Sequence, residues 1–215
     1  MKKKKSIELG EGYGIQLSTN SIKLLNEIGF NEVSENDKFN PEKLDFYDIK
    51  EQKKICDLNI SKFNFENCKY TTLKRSTLIE FLKNRLDDDV IKYDHGIEKI
   101  EVKNQQISLS FNKNQNLIYD HLIISDGVFS KGKSLVSRNM NEPTYNNCIA
   151  IRGNISKNTI DNINEKNISL FVGSNFHYVI YPIDQITNTL NFIGILKYNL
   201  NLDELNNYSL FNDQD

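Results

Sequence analysis

Between Asn147 and Leu196 the sequence breaks into four short runs, Asn147–Ile155, Ser169–Gly173, Phe176–Pro182 and Thr189–Leu196, each readable as a strand. Four such strands in about fifty residues leave little room for crossover helices, so the pattern predicts a mostly antiparallel sheet. Upstream the pattern is different, because helical stripes are interleaved with alternating segments. The chain therefore changes near Asn141 from mixed α/β to mostly antiparallel β, an α/β (α+β) class, with expected divisions at 1–140, 141–200 and a polar tail 201–215.

The upstream elements follow from local rules. Ser18 is a good N-cap, Ile22, Leu25 and Ile28 form an apolar stripe, and Gly29 is a stop signal, which predicts a helix over Ser18–Ile28. Lys43–Lys50 and Lys53–Ile60 read as a strand pair around Glu51 and Gln52. A second helix is expected over Ser76–Leu86, with Leu78, Phe81, Leu82, Arg85 and Leu86 on its stripe. Glu98–Lys103 and Gln106–Phe111 alternate as a hairpin. Leu122–Ser125 is a continuous apolar run, expected to be a strand buried on both faces.

Composition narrows the class of function. With 38% hydrophobic and 26% charged residues the chain can bury a core, and its net charge of −2 argues against a nucleic-acid partner. The Lys2–Lys5 run has no apolar stretch behind it, so it is not a secretory signal, and no run of ~18 apolar residues is present to span a membrane. Cys56, Cys68 and Cys148 are odd in number and scattered without metal-ligand spacing, the usage of a reducing, cytoplasmic setting. Asp87, Asp88 and Asp89 read as a solvated helix end and not as a metal site.

The glycines Gly10, Gly12 and Gly14 do not make G-x-G-x-x-G. No strand precedes them and the helix begins only at Ser18, so they read as a flexible turn and not as a phosphate cradle.

Four segments in order carry a resemblance. They are Gly12-Tyr13-Gly14-Ile15-Gln16-Leu17-Ser18-Thr19-Asn20-Ser21 with Ile28-Gly29-Phe30; Leu73-Lys74-Arg75-Ser76-Thr77-Leu78; Ile124-Ser125-Asp126-Gly127-Val128-Phe129-Ser130; and Phe171-Val172-Gly173 with His177-Tyr178-Val179-Ile180-Tyr181-Pro182 and Leu190-Asn191-Phe192. Together they resemble the salicylate-hydroxylase-like branch of the class A flavoprotein monooxygenases, a branch that includes ubiquinone-biosynthesis hydroxylases. Thr19 stands at the family's proline, Ile124 and Ser125 at its Gly and Ala, and Lys133 at its Arg. The family's opening G-x-G-x-x-G strand and its later G-D motif do not occur in the sequence. The resemblance therefore covers the middle of the family's length and implies a chain truncated at both ends, with a weak hold on FAD.

The resemblance implies an incomplete FAD-binding domain, Rossmann-like and of glutathione-reductase type, followed by a substrate-side sheet. It also implies FAD as cofactor, NAD(P)H as reductant, and O2 and a small phenolic aromatic as substrates. Arg75, Asp126, Gly127 and Ser130 are the implied cofactor-binding residues. A guanidinium suits pyrophosphate or the flavin's polar edge, a carboxylate can accept from ribose hydroxyls or from backbone, and Ser130 can cap a following helix. His177 and Tyr181 are the implied catalytic pair. Four residues apart on a strand, they share a face, and a histidine there can take the proton of a phenol. A non-catalytic or split module dependent on another chain is the alternative reading.

Overall fold

The computed structural model describes residues 13–112, 115–137, 143–159, 163–187 and 189–201. The Gly10 and Gly12 turn, the Lys2–Lys5 run and nearly all of the polar tail lie outside the described residues. What is described falls into two compact units, one of residues 13–86 with 147–201 and the other of residues 87–146.

The larger unit opens with β1 (Gly14–Leu17) and α1 (Thr19–Asn26), then β2 (Lys38–Phe39), β3 (Lys43–Asp48), β4 (Lys53–Asn59), β5 (Thr71–Lys74) and α2 (Arg75–Lys83). Strands β1, β5 and β2 form a three-stranded antiparallel sheet in that order. Alternation along β1 divides its side chains. Ile15 and Leu17 join Ile22, Phe30, Leu73 and Phe81 in a core beneath the helices, while Gly14 and Gln16 face the other way. Each buried aliphatic or aromatic side chain in that core contributes ~1.5–3 kcal/mol.

Helix α1 is shorter than the 18–28 span expected. Its stripe holds at Ile22 and Leu25, but Ile28 lies past the helix end and is exposed. Ser18 sits at the N-cap position with extended backbone, yet its hydroxyl bonds to the Asn20 side chain and caps no backbone N–H. The helix ends at the Glu27 C-cap, two residues before the Gly29 stop expected; Gly29, with a left-handed φ of 90°, instead opens the short 3-10 turn Phe30–Glu32. In α2 the inward residues are Leu78 and Phe81, whereas Leu82 is exposed; the helix ends at Lys83, so Arg85 and Leu86 of the expected stripe lie past it. Gly14, read with Gly10 and Gly12 as part of a turn, is the first residue of β1 and is buried.

In the smaller unit, β6 (Ile97–Lys103), β7 (Gln106–Phe111) and β8 (Gln115–Tyr119) make a three-stranded antiparallel sheet. Asn104 and Gln105 turn the first hairpin with φ of 50° and 63°, the positive pair that a two-residue turn favours. Helix α3 (Lys131–Val136) packs against β6. The stretch Leu122–Ser125 is not the doubly buried strand its composition predicts. Leu122 and Ile124 are half-buried, Ile123 is 88% exposed, and no strand among the described residues pairs with it. An apolar run becomes a buried strand only when partners occupy both of its edges.

The four runs of the second half form β9 (Cys148–Ser156), β10 (Ile168–Val172), β11 (Phe176–Pro182) and β12 (Thr189–Lys197), mutually antiparallel as expected. The hairpin β3–β4 extends this sheet. It attaches through a parallel β3–β10 pairing, so the six-stranded order is β4-β3-β10-β11-β12-β9. Tyr47, Phe171 and Tyr178 are register neighbours on three adjacent strands and stack with ring centroids 4.7 and 4.4 Å apart. They lie on the sheet face opposite to Tyr181. Among the described residues no helix is long and apolar enough to cross a membrane.

Candidate active site

Strand β11 is regular from Phe176 to Pro182, so His177, Val179 and Tyr181 project from one face. The two ends of that face differ in environment. His177, opposite Ile195 and Val172, is exposed; Tyr181, opposite Asn191, is 1% exposed. Strand β1 and Tyr70 account for the difference. Gly14 sits so close over Tyr181 that a Cβ on it would lie 2.7 Å from the Tyr181 ring and 2.8 Å from the Asn191 side chain.

Near Tyr181 is a set of polar groups to which the sequence alone assigned no role, although Gln16 and Asn191 stand in the segments that carry the resemblance. Tyr70 donates its O–H to Gln16 Oε1 at 2.8 Å, and Asn191 Oδ1 accepts the Gly14 N–H at 2.5 Å. Asn191 is fully buried, and its Nδ2 has no hydrogen-bond partner among the described residues. Burial pushes the Tyr181 phenol up to about 12, against the lowering pull of the Gln16 side chain, the Arg152 charge and the Asn191 side chain. Burial likewise raises Tyr70. Both phenols therefore stay protonated near neutrality, and that of Tyr70 donates to Gln16. Two signals for this set were present in the sequence: Gln16 breaks the apolar pattern of β1, and Asn191 is a lone amide between Leu190 and Phe192. Tyr70 carried none.

Asp126, Gly127 and Ser130 meet in one loop of the smaller unit. Asp126 accepts from the Ser130 hydroxyl and from the Gly132 N–H (2.8 Å), and the Ser130 Oγ accepts from the Lys133 N–H (2.9 Å), so Ser130 caps α3 as expected. The Ser130 hydroxyl, then the Gly132 amide, hold the Asp126 carboxyl below the usual carboxylate range. Gly127 has φ of 89° with no atom within 4 Å of where a Cβ would stand. The loop borders an open cleft of ≈ 360 Å³ that Ile124 and Lys133 also line. Ile124 packs on Gly132, where a Cβ would come within 2.9 Å of it.

Arg75 is the first residue of α2. Its backbone N–H donates to the Tyr13 carbonyl at 2.9 Å, and its side chain is exposed. The helix begins one residue before the Ser76 start expected, with Lys74 at the N-cap and no side-chain cap.

The backbone decides the fold. Over 94% of its length this chain superposes on Klebsiella pneumoniae HpxO complexed with FAD and uric acid, with a TM-score of 0.72 at 16% identity. The fold is that of the FAD-dependent aromatic-ring monooxygenases. A 2,6-dihydroxypyridine-3-hydroxylase from Arthrobacter nicotinovorans matches over 90% of this chain with a TM-score of 0.72 and 14% identity, and a salicylate hydroxylase substrate complex over 86% with 0.72 and 12%. The chain spans about half the length of these structures: 51%, 48% and 48% of the respective chains. No family model matches the sequence, and no curated protein does.

Proposed function

We propose that this chain is part of an FAD-dependent monooxygenase that uses NAD(P)H and O2 to hydroxylate a small aromatic, phenolic substrate. The observation that carries the reading is the superposition of nearly the whole chain on half of an enzyme solved with FAD and a heterocyclic ligand.

The residues present fit the cofactor. Asp126 is exposed and, beyond its two helix-cap bonds, keeps lone pairs for ribose hydroxyls. The open space where a Cβ of Gly127 would stand admits a close approach. Arg75 offers an exposed guanidinium fork suited to phosphate or to the flavin's polar edge. In this reading Arg75, Asp126, Gly127 and Ser130 hold FAD, and the sheet that β9 to β12 build with the β3–β4 hairpin bears the substrate. FAD when bound supplies the activation of oxygen and accepts reducing equivalents from NAD(P)H.

His177 is the proposed base, exposed and on the same strand face as Tyr181, and it takes the proton of the substrate phenol so that the ring becomes the better nucleophile. Tyr181, 1% exposed beneath Gly14 and packed with Ile60, Ile168 and Ile183, does not touch the substrate in this reading and acts as a positioning residue that fixes the strand bearing His177. Three free cysteines fit a cytoplasmic setting. With FAD, NADPH and labelled O2 supplied to a phenolic probe such as salicylate, the reading expects one 18O atom in the product. A label that came from water instead would sink it.

A further inference from the structure

In the larger unit a cleft of ≈ 260 Å³, lined by neither Tyr181 nor Arg75, opens beside the end of α1. Lys38 lines it. That lysine is only 7% exposed, a rare state for an ammonium group. Its Nζ lies 2.9 Å from Glu35 Oε1 and 5.5 Å from the centre of the Phe30 ring. The Glu35 side chain is 71% exposed, so its charge is spent largely on water and offsets the desolvation of Lys38 only in part. The ring face adds a further weak attraction. An ammonium carries three N–H donors, and one carboxylate oxygen does not satisfy them.

The rest of the lining has the matching character. Lys69 contributes a second cation, Asn31 and Asn67 contribute side-chain amides, and Glu35 is the one carboxylate. Two ammonium groups against one exposed carboxylate leave the cleft electropositive. Ammonium point charges with amide donors spread around a concavity suit a compact oxyanion with several acceptor oxygens, in contrast to the planar fork with which arginine takes a carboxylate.

We propose that this cleft is a phosphate-binding site, with Lys38 as its buried anchor and Lys69 as its outer cation, taking free phosphate or the phosphate group of a small ester. The site is separate from the residues assigned to flavin and substrate and does not rest on that assignment.

Calorimetric titration of the full chain with sodium phosphate at low ionic strength tests the proposal. Saturable one-site binding with Kd at or below ~1 mM is expected, with no response to sodium chloride of equal ionic strength. Lys38→Met should weaken it at least ~10-fold and Lys69→Gln several-fold, while Glu35→Gln, which removes the competing carboxylate, should tighten it. The last two substitutions are at exposed positions, so they remain decisive even if Lys38→Met does not fold. Glycerol phosphate titrated in parallel distinguishes the sources: equal affinity points to the free ion, and ~10-fold tighter binding points to an ester. No saturable binding, or binding unchanged in Lys69→Gln and Glu35→Gln, would overturn it.

Discussion

The backbone N–H of Gly14 donates to the side-chain oxygen of Asn191 at 2.5 Å across 177 positions of sequence, fastening β1 onto β12 over the Tyr181 ring. The bond is buried and no Cβ fits at Gly14. Gly14→Ala should therefore lower stability by ~1–3 kcal/mol through overpacking, and Asn191→Ala by ~1–3 kcal/mol because the Gly14 donor is left unpaired. Urea unfolding of the two variants and of the double variant measures both, and the double should fall short of the sum because the sites touch. Full additivity would show that the two residues act independently.

Tyr181 sets a pH dependence of stability. Its phenol is raised from 10.0 to about 12, so the folded chain keeps this proton after the unfolded chain has released it. The resulting stabilisation is complete below pH 10 and is lost as the pH rises from 10 to 12, at ~1.4 kcal/mol per pH unit. Denaturation midpoints followed across that window should fall more steeply for the wild-type chain than for Tyr181→Phe. Equal slopes would mean that the phenol is solvated.

The Asp126 loop separates backbone strain from steric strain. Gly127→Ala meets open space, and its cost is that of holding φ at 89°, ~1–2 kcal/mol. Gly132→Ala meets Ile124 at 2.9 Å and Asp126 at 3.3 Å and should loosen the α3 cap itself. Amide hydrogen exchange is the readout: Lys133 protection should fall in Gly132→Ala and Asp126→Asn and hold in Gly127→Ala. The reverse order would contradict the assignment.

If His177 is the phenol base, His177→Ala should lower hydroxylation ~10²–10⁴-fold and leave flavin reduction in the absence of substrate near its original rate. Tyr181→Phe, at a residue sealed beneath Gly14, should cost much less. A parallel loss of both rates in His177→Ala would point to a structural role instead.

Much of this fold was legible because its elements are bounded locally. Gly29 turns the chain in the left-handed region just past α1, Asn104-Gln105 turns a hairpin, and the runs that became β9 to β12 are short and rich in strand-forming residues. What was not legible depends on partners. The parallel pairing of β3 with β10 joins segments about 120 residues apart, and alternation within a strand carries no information about which strand lies beside it. The Leu122–Ser125 run misled for the same reason, since a strand-like composition does not supply neighbours. The expected pair His177 and Tyr181 share a face as their spacing requires, yet one is exposed and the other sealed under Gly14, a difference set by β1 and invisible in β11 itself. Asp126 was readable as an acceptor, but not as an acceptor already engaged in capping α3.

The proposed function makes this chain part of a flavin site, and a flavin-fluorescence titration of the purified chain with FAD is its sharpest test. Weak but saturable binding is expected, with Kd of ~10 μM or above, and at least ~10-fold weaker binding in Arg75→Ala and in Asp126→Ala when circular dichroism shows both variants folded. Absence of saturable binding, or binding indifferent to both substitutions, would contradict it.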